Sequence, residues 1–140
     1  MFDACQILAI LVEMHAEASA PLSPINPEKA LARIATAIQR GVVFIALNDE
    51  QTALLGSVGG IRTVDWYGDT EFLGDLWFYV RREHRSTRAA LALLRRFRDA
   101  AKSMRLPLRM AVFNGNDVER KDRFFERAGF RKVGGFYAEA

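Results

Sequence analysis

The stretch FYVRREHRSTRAALALL, residues 78–94, decides the interpretation of the whole chain. Its first three residues end an apolar run that is typical of a buried strand. A short basic loop follows, and from about Thr87 the apolar spacing predicts a helix whose first turn carries no acidic side chain. Backbone N–H groups at a helix N-terminus lack intrahelical partners and lie at the positive end of the helix dipole. Residues 85–90 are therefore a candidate anion site, suited to the phosphates of a nucleotide cofactor.

Two motifs resemble the GCN5-related N-acetyltransferases, the GNAT family. Arg85-x-x-Arg88-x-Ala90 is similar to the family's R/Q-x-x-G-x-G/A pyrophosphate loop, with Arg88 in place of a glycine, as in some short, phage-type members. Residues 124–134, FFERAGFRKVG, resemble a block commonly written fYek-x-GF-x-x-x-G. Both motifs lie within about the last sixty residues, whereas the first forty or so resemble the family only loosely.

The resemblance implies an α/β (α+β) fold. Its central sheet is mixed and mostly antiparallel, with a splayed pair of parallel strands, and it is flanked by about four helices. The resemblance also implies an acetyl-CoA-dependent enzyme that moves the acetyl group to a primary amine, on a small molecule or a peptide, by direct attack. The family often dimerises, so a homodimer is a further expectation.

The resemblance assigns the cofactor mainly to main-chain groups. Tyr79, Val80 and Arg82 would hold the acyl carbonyl and the pantetheine amides, and residues 85–90 would take the pyrophosphate. Asn114 would touch pantetheine or the acceptor, with a loop cap as the alternative role. Phe125 would line the cofactor channel or pack in the core. The candidate cofactor residues are Val80, Arg82, Arg85, Ser86, Thr87, Arg88, Ala89, Ala90, Asn114 and Phe125.

An amine acceptor arrives mostly as ammonium, so a carboxylate is needed to take its proton, directly or through a water. Asp75 is the first candidate and Glu71 the second, and a solvated edge position is the alternative for each. In a regular strand Asp75, Trp77 and Tyr79 share one face, since side chains alternate, and a bulge would change this register.

The family often protonates the leaving thiolate with a tyrosine, but this chain has Phe125 at that position. Tyr79 and Tyr137 are the candidate replacements. Loss of a positioned acid typically costs about a hundredfold to ten-thousandfold in rate. The alternative is therefore a catalytically degenerate CoA-binding or protein-interaction module of the same fold.

Composition agrees with one globular domain over residues 1–140, since half of the residues are hydrophobic and no linker or repeat divides them. Cys5 is the only cysteine, which excludes an intrachain disulfide and favours a cytoplasmic location. The apolar N-terminal stretch is too short to cross a membrane. The two histidines and one cysteine are too scattered to form a metal-site signature, so no metal is expected.

The net charge of +3 is unevenly distributed, because residues 81–109 hold ten Lys and Arg against Glu83 and Asp99. This basic region would attract a polyanion such as CoA. The alternative is a solvated helix face, since Arg88, Arg95, Arg98, Lys102 and Arg105 follow helical spacing. Nucleic-acid binding is not expected, because no reading motif accompanies the basic residues.

The patterns of apolar residues, turns and caps predict four helices and five strands. The helices span residues 3–15, 27–40, 87–104 and 119–128, and the strands span 42–47, 53–62, 72–80, 108–113 and 131–137. The first strand of the GNAT fold has no clear counterpart at the start of this chain.

Overall fold

The structure, a computed structural model, describes residues 3–20, 22–85, 87–111 and 115–139. Two helices precede three long strands, and a third helix, a short strand and a fourth helix follow. The helices are α1 (Ala4–Glu17), α2 (Pro27–Arg40), α3 (Ala89–Ser103) and α4 (Val118–Arg127). The strands are β1 (Val42–Leu47), β2 (Leu54–Val64), β3 (Glu71–Val80) and β4 (Leu108–Arg109).

The four strands form one mixed sheet in the order β1-β2-β3-β4. The first three strands are antiparallel, and β4 runs parallel to β3 through the pairs Leu73–Leu108 and Gly74–Arg109. A mostly antiparallel sheet with one parallel pair and four helices confirms the fold class predicted from the sequence.

The starts of α1 and α2 follow from their capping residues. Asp3 accepts from the backbone N–H groups of Cys5 and Gln6, and the Gln6 side chain accepts from the Asp3 N–H, which completes a capping box. Asn26 caps α2 ahead of Pro27 at the first helical position. The beginnings of both helices were therefore readable from the sequence.

The sheet has an apolar core on each face. Ile7, Ile10 and Ile34 of α1 and α2 pack with Trp77 and Tyr79 on one face. On the other face α3 packs through a second cluster, which contains Val58, Leu73, Val80, Leu93 and Phe97. Burial of each such large side chain contributes about 1.5–3 kcal/mol to stability. The sheet is thus anchored between α1 and α2 on one side and α3 on the other.

A β-bulge in β3 interrupts the regular alternation of side chains between Asp75 and Trp77. Gly59 pairs with Trp77 and Gly60 pairs with Asp75, which leaves Leu76 as an extra residue. Leu73 consequently belongs to the α3 core, whereas Trp77 belongs to the core of α1 and α2. The shared face of Asp75, Trp77 and Tyr79 was expected only for a regular strand, and the bulge, the stated alternative, reverses the alternation between Asp75 and Trp77.

The prediction of a final strand over residues 131–137 is wrong. This segment has no regular secondary structure, and Val133, Phe136 and Tyr137 are exposed by 85%, 68% and 94%. A strand needs a neighbour to pair with, and the two-residue β4 provides little edge for one. Residues 112 and 113 of the predicted fourth strand lie outside the described residues.

Residues 3–20 contain α1 and no strand, so the described part of the chain holds no counterpart of the first GNAT strand. No helix in the described ranges is both long and apolar enough to span a bilayer.

Candidate functional site

The parallel pairing of β3 with β4 ends early. Only Leu73 and Gly74 of β3 pair with β4, and the Leu73 N–H donates to the Pro107 carbonyl at 2.9 Å. The next residue of β3, Asp75, contacts the segment after β4 through its side chain instead of its backbone. Its Oδ1 accepts from the Ala111 N–H at 2.8 Å. Asp75 therefore marks the point where the described strand ladder stops.

The Asp75 carboxyl group is half-buried, and burial raises its pKa from an ordinary 3.8 to about 6. The hydrogen bond from Ala111 opposes this shift, because it stabilises the ionised form, but it does not outweigh desolvation. A carboxylate with a pKa near neutrality suits a general base, since it is ionised at physiological pH and can still hold a proton.

Glu71 lies at the start of β3, four residues before Asp75 and so about 13 Å away along the strand. Its carboxylate is exposed and forms an ion pair with Arg62 at 3.1 Å. The two candidate bases are therefore not brought together.

Tyr79 packs on the opposite side of the bulge, against α1. Its ring is only 5% exposed, and its hydroxyl donates to Glu17 Oε1 at 3.0 Å. Burial and the adjacent carboxylate raise the pKa of Tyr79 to about 12. A phenol in this setting holds its proton tightly, which makes it a weak acid toward a leaving group.

The predicted phosphate loop joins β3 to α3 through a short 3₁₀ turn, Arg82–His84. Thr87 Oγ1 accepts from the Ala89 N–H at 3.3 Å, and its hydroxyl donates to the His84 carbonyl. Arg88 occupies the cap position of α3 without a capping side-chain bond, and Ala89 and Ala90 begin the helix. The first turn carries no acidic residue, so the N-terminus of α3 keeps its positive end uncompensated.

The arginines of the loop differ in their engagement. Arg85 donates to Glu17 Oε2 at 2.5 Å and to the Val80 carbonyl at 2.9 Å, and its guanidinium lies over the Tyr79 ring. Arg82 is 3.7 Å from Glu17 and its side chain is 73% exposed. Arg88 is exposed. The guanidinium groups of Arg82 and Arg88 are thus accessible to an external anion, whereas that of Arg85 already binds the Glu17 carboxylate.

Sequence reasoning missed Glu13 and Glu17, which point from α1 to the basic loop. Glu13 binds Arg81 through oxygen–nitrogen distances of 3.0 and 2.5 Å, and this ion pair lowers the pKa of Glu13. The predicted helix ended at residue 15, so Glu17 was not placed with Glu13, whereas α1 extends to Glu17 and brings both carboxylates, four residues apart, to one helix face. The prediction of α1 considered only its apolar residues.

Phe125 lies in an aromatic cluster that docks α4 on the sheet. Its ring centroid is 6.1 Å from that of Phe78, 5.3 Å from Phe124 and 5.6 Å from Phe130. Phe125 thus has a packing role.

Tyr137, the other candidate acid, is exposed in the irregular C-terminal segment. Ser86 and Asn114, predicted to contact the cofactor, lie outside the described residues.

A groove of about 800 Å³ borders the loop on the side of β1. Thr87, Arg88 and Ala89 line it together with the β1–β2 turn. No cluster of three or more potential metal-ligating side chains occurs in the described portion of the chain.

No known family model matches this sequence, and no curated protein does either. Solved structures do match. A Trypanosoma brucei acetyltransferase is 17% identical with a TM-score of 0.68, over 99% of this chain and 95% of that one. For glucosamine-6-phosphate N-acetyltransferase from Arabidopsis thaliana the identity is 12% and the TM-score 0.69, over 99% and 94%. For a GNAT family acetyltransferase from Staphylococcus aureus the values are 14% and 0.58, over 97% and 85%.

The chain therefore has the fold of an acetyltransferase. More particularly, its fold is the GNAT fold, as the two sequence motifs indicated.

Proposed function

We propose that the protein is a GNAT-type N-acetyltransferase that moves an acetyl group from acetyl-CoA to the primary amine of a small molecule or peptide. The observation that carries the proposal is Asp75, a half-buried carboxyl group with a pKa raised to about 6, placed where the β3–β4 ladder stops. The fold and the uncompensated N-terminus of α3 support it. A cytoplasmic, single-domain homodimer remains an expectation from the sequence.

The residues present fit the cofactor in most respects. Backbone N–H groups in the first turn of α3, together with the exposed guanidinium groups of Arg82 and Arg88, would hold the diphosphate. Arg85 fits less well, because Glu17 already neutralises it. The main chain at Val80 would face the pantetheine amides, whereas that of Tyr79 is paired with Ser57 of β2. Val80 retains only its N–H for this, since its carbonyl accepts from Arg85.

When bound, acetyl-CoA supplies the acetyl group as a reactive thioester. Asp75 takes the proton of the incoming ammonium, directly or through one water, which frees the nitrogen lone pair for attack. The N–C bond would form as the C–S bond breaks, the attacking nitrogen would lose its second proton to solvent to give the amide, and the sulfur would leave as thiolate. Water protonates the thiolate, because the Tyr79 hydroxyl is bound to Glu17 and Phe125 has no proton to give.

A panel of small amines, polyamines and peptides tests this function through the release of free CoA thiol. Wild-type protein is expected to turn over at least one amine, and Asp75→Asn is expected to lower kcat by about 10²–10⁴-fold. Glu71→Gln is the matched control. Because Glu71 is exposed and paired with Arg62, its loss should change kcat by less than about threefold.

The pH dependence gives a second readout. Wild-type kcat/KM should rise with pH through about 6, as Asp75 loses its proton, and this step should be missing from Asp75→Asn. Equal rates for Asp75→Asn and wild type would exclude Asp75 as the base. Tight acetyl-CoA binding without turnover across the panel would instead support a CoA-binding module.

A further inference from the structure

A second groove, of about 760 Å³, runs between α3 and α4. Its apolar part is formed by Leu91 and Phe124, which are half-buried, above Leu94, which is only 1% exposed. Its remaining lining is dominated by guanidinium groups, from Arg95 and Arg98 on α3 and from Arg120, Arg123 and Arg127 on α4. No carboxylate contributes to this lining. We call this surface the arginine groove.

The arginine groove arises from two matching stripes. Residues 91, 94, 95 and 98 follow the i, i+3, i+4, i+7 spacing of one helix face, and residues 120, 123, 124 and 127 repeat it on α4. From the sequence, Arg95 and Arg98 were explained as part of a solvated helix face, with no other element opposite them. The structure places a second arginine stripe opposite them.

Most of this charge is uncompensated. Arg98 has a structural role, since it donates to the Ala128 carbonyl and stacks over Phe130 at 4.6 Å. Arg95 and the three arginines of α4 are exposed, and in the described ranges they form no ion pair. The nearby Asp122 is paired with Lys132 at 3.0 Å. Like charges held together on facing helices repel one another, so an anionic partner would be stabilising.

We propose that the arginine groove binds an acidic amphipathic helix of another protein. The apolar face of such a helix would cover Leu91 and Phe124, and its flanking carboxylates would pair with the arginines on both walls. A nucleic acid fits less well, because its phosphate backbone has no aliphatic face to cover Leu91. Residues 80–90 do not line this groove, although it adjoins the cofactor loop at Leu91, the residue after Ala90.

A second copy of this chain does not supply such a helix from its described elements. α2, α3 and α4 carry more basic than acidic residues. In α1 both carboxylates are engaged, Glu13 by Arg81 and Glu17 by Arg85. The occupant is therefore a different chain.

Fluorescence anisotropy with a labelled synthetic helix tests the proposal. The peptide has about four turns, with Leu on one face and Glu on both flanking faces. Wild-type protein is expected to bind it with micromolar affinity at physiological salt. Arg95→Glu combined with Arg123→Glu should weaken binding by at least about tenfold. The matched control, Arg33→Glu with Arg40→Glu on exposed positions of α2, makes the same charge change and should leave affinity within about twofold.

The comparison ligands distinguish specific binding in the arginine groove from nonspecific charge attraction. A scrambled peptide of identical composition, with its leucines dispersed around the helix, should bind at least about tenfold more weakly. Acetyl-CoA affinity should be unchanged in the groove variant. The proposal is overturned if wild type fails to bind the amphipathic peptide, if the control variant loses as much affinity, if a single-stranded deoxyoligonucleotide of equal net charge binds more tightly, or if the groove variant loses acetyl-CoA binding.

Discussion

At the scale of single residues, the role proposed for Asp75 comes with a cost in stability. The sequence made Asp75 the first of the candidate bases on or just before the strand 72–80. Its half-burial and its bond to the Ala111 N–H depend on where β4 ends, which no local pattern encodes. The same burial that prepares it as a base penalises its ionised form.

The raised pKa of Asp75 makes folding stability fall as pH rises. Between an unfolded pKa of 3.8 and a folded pKa of about 6 the native state binds more protons, so the penalty develops across this window and is complete above it. We expect Asp75→Asn, whose amide oxygen can still accept from Ala111, to raise the free energy of unfolding at neutral pH by about 1–3 kcal/mol. Urea unfolding near pH 4 should show a much smaller difference, and an equal difference at both pH values would contradict this account.

Glu17 is the second residue whose charge has a direct consequence. Its carboxylate binds Arg85 and lies near Arg82, so it competes with any phosphate for both. We expect Glu17→Gln to tighten acetyl-CoA binding by about threefold to tenfold, while its amide oxygen still accepts from Tyr79.

Glu13→Gln is the control for that change, because Glu13 lies one turn earlier on α1 and binds Arg81, which is also held by the Leu54 carbonyl. Its acetyl-CoA affinity should equal that of wild type. Weaker binding by Glu17→Gln than by Glu13→Gln would show that Glu17 orders the loop instead of competing for it. Both affinities are measurable by calorimetry.

At the scale of elements, local signals predicted most of the secondary structure. The caps at Asp3 and Asn26 and the β1–β2 hairpin were recognisable because their determinants are adjacent in sequence. The final strand was not, since residues 131–137 have β-forming side chains but no strand to pair with. The bulge at Leu76 was foreseen only as an alternative to a regular strand, because its presence depends on how β2 and β3 align.

Adjacent glycines accommodate that bulge. A Cβ on Gly59 would lie 2.2 Å from the Trp77 ring, and one on Gly60 would lie 2.6 Å from Phe97. Trp77 cannot move aside easily, since it is buried and its Nε1–H donates to Ser57 Oγ at 3.0 Å. Gly59 and Gly60 therefore let one aromatic ring approach the sheet on each face.

We expect Gly59→Ala to lower the free energy of unfolding by about 1–3 kcal/mol, because the buried ring must shift. Gly68→Ala is the control, since a Cβ there would meet nothing within 4 Å. Denaturant unfolding of both variants measures the effect. Equal stabilities would mean that the Trp77 ring has room to rearrange.

At the scale of the whole molecule, the helices on the two faces of the sheet carry different charges. α1 and α2 cover one face, and Glu13 and Glu17 of α1 reach the loop. α3 and α4 lie toward the other face and carry eight of the twenty Lys and Arg residues. The overall fold was predictable because two motifs in the right order indicated it. The site was only partly predictable, because the partners of Arg85 and Tyr79 come from a helix more than sixty positions earlier.

The central claim is that the N-terminus of α3, with Arg82 and Arg88, binds the diphosphate of acetyl-CoA. Isothermal titration of the folded protein with acetyl-CoA tests it most directly. We expect wild type to bind with a micromolar Kd, and Arg82→Ala combined with Arg88→Ala to bind about tenfold more weakly. The absence of binding heat from folded wild-type protein at high micromolar acetyl-CoA would contradict the account.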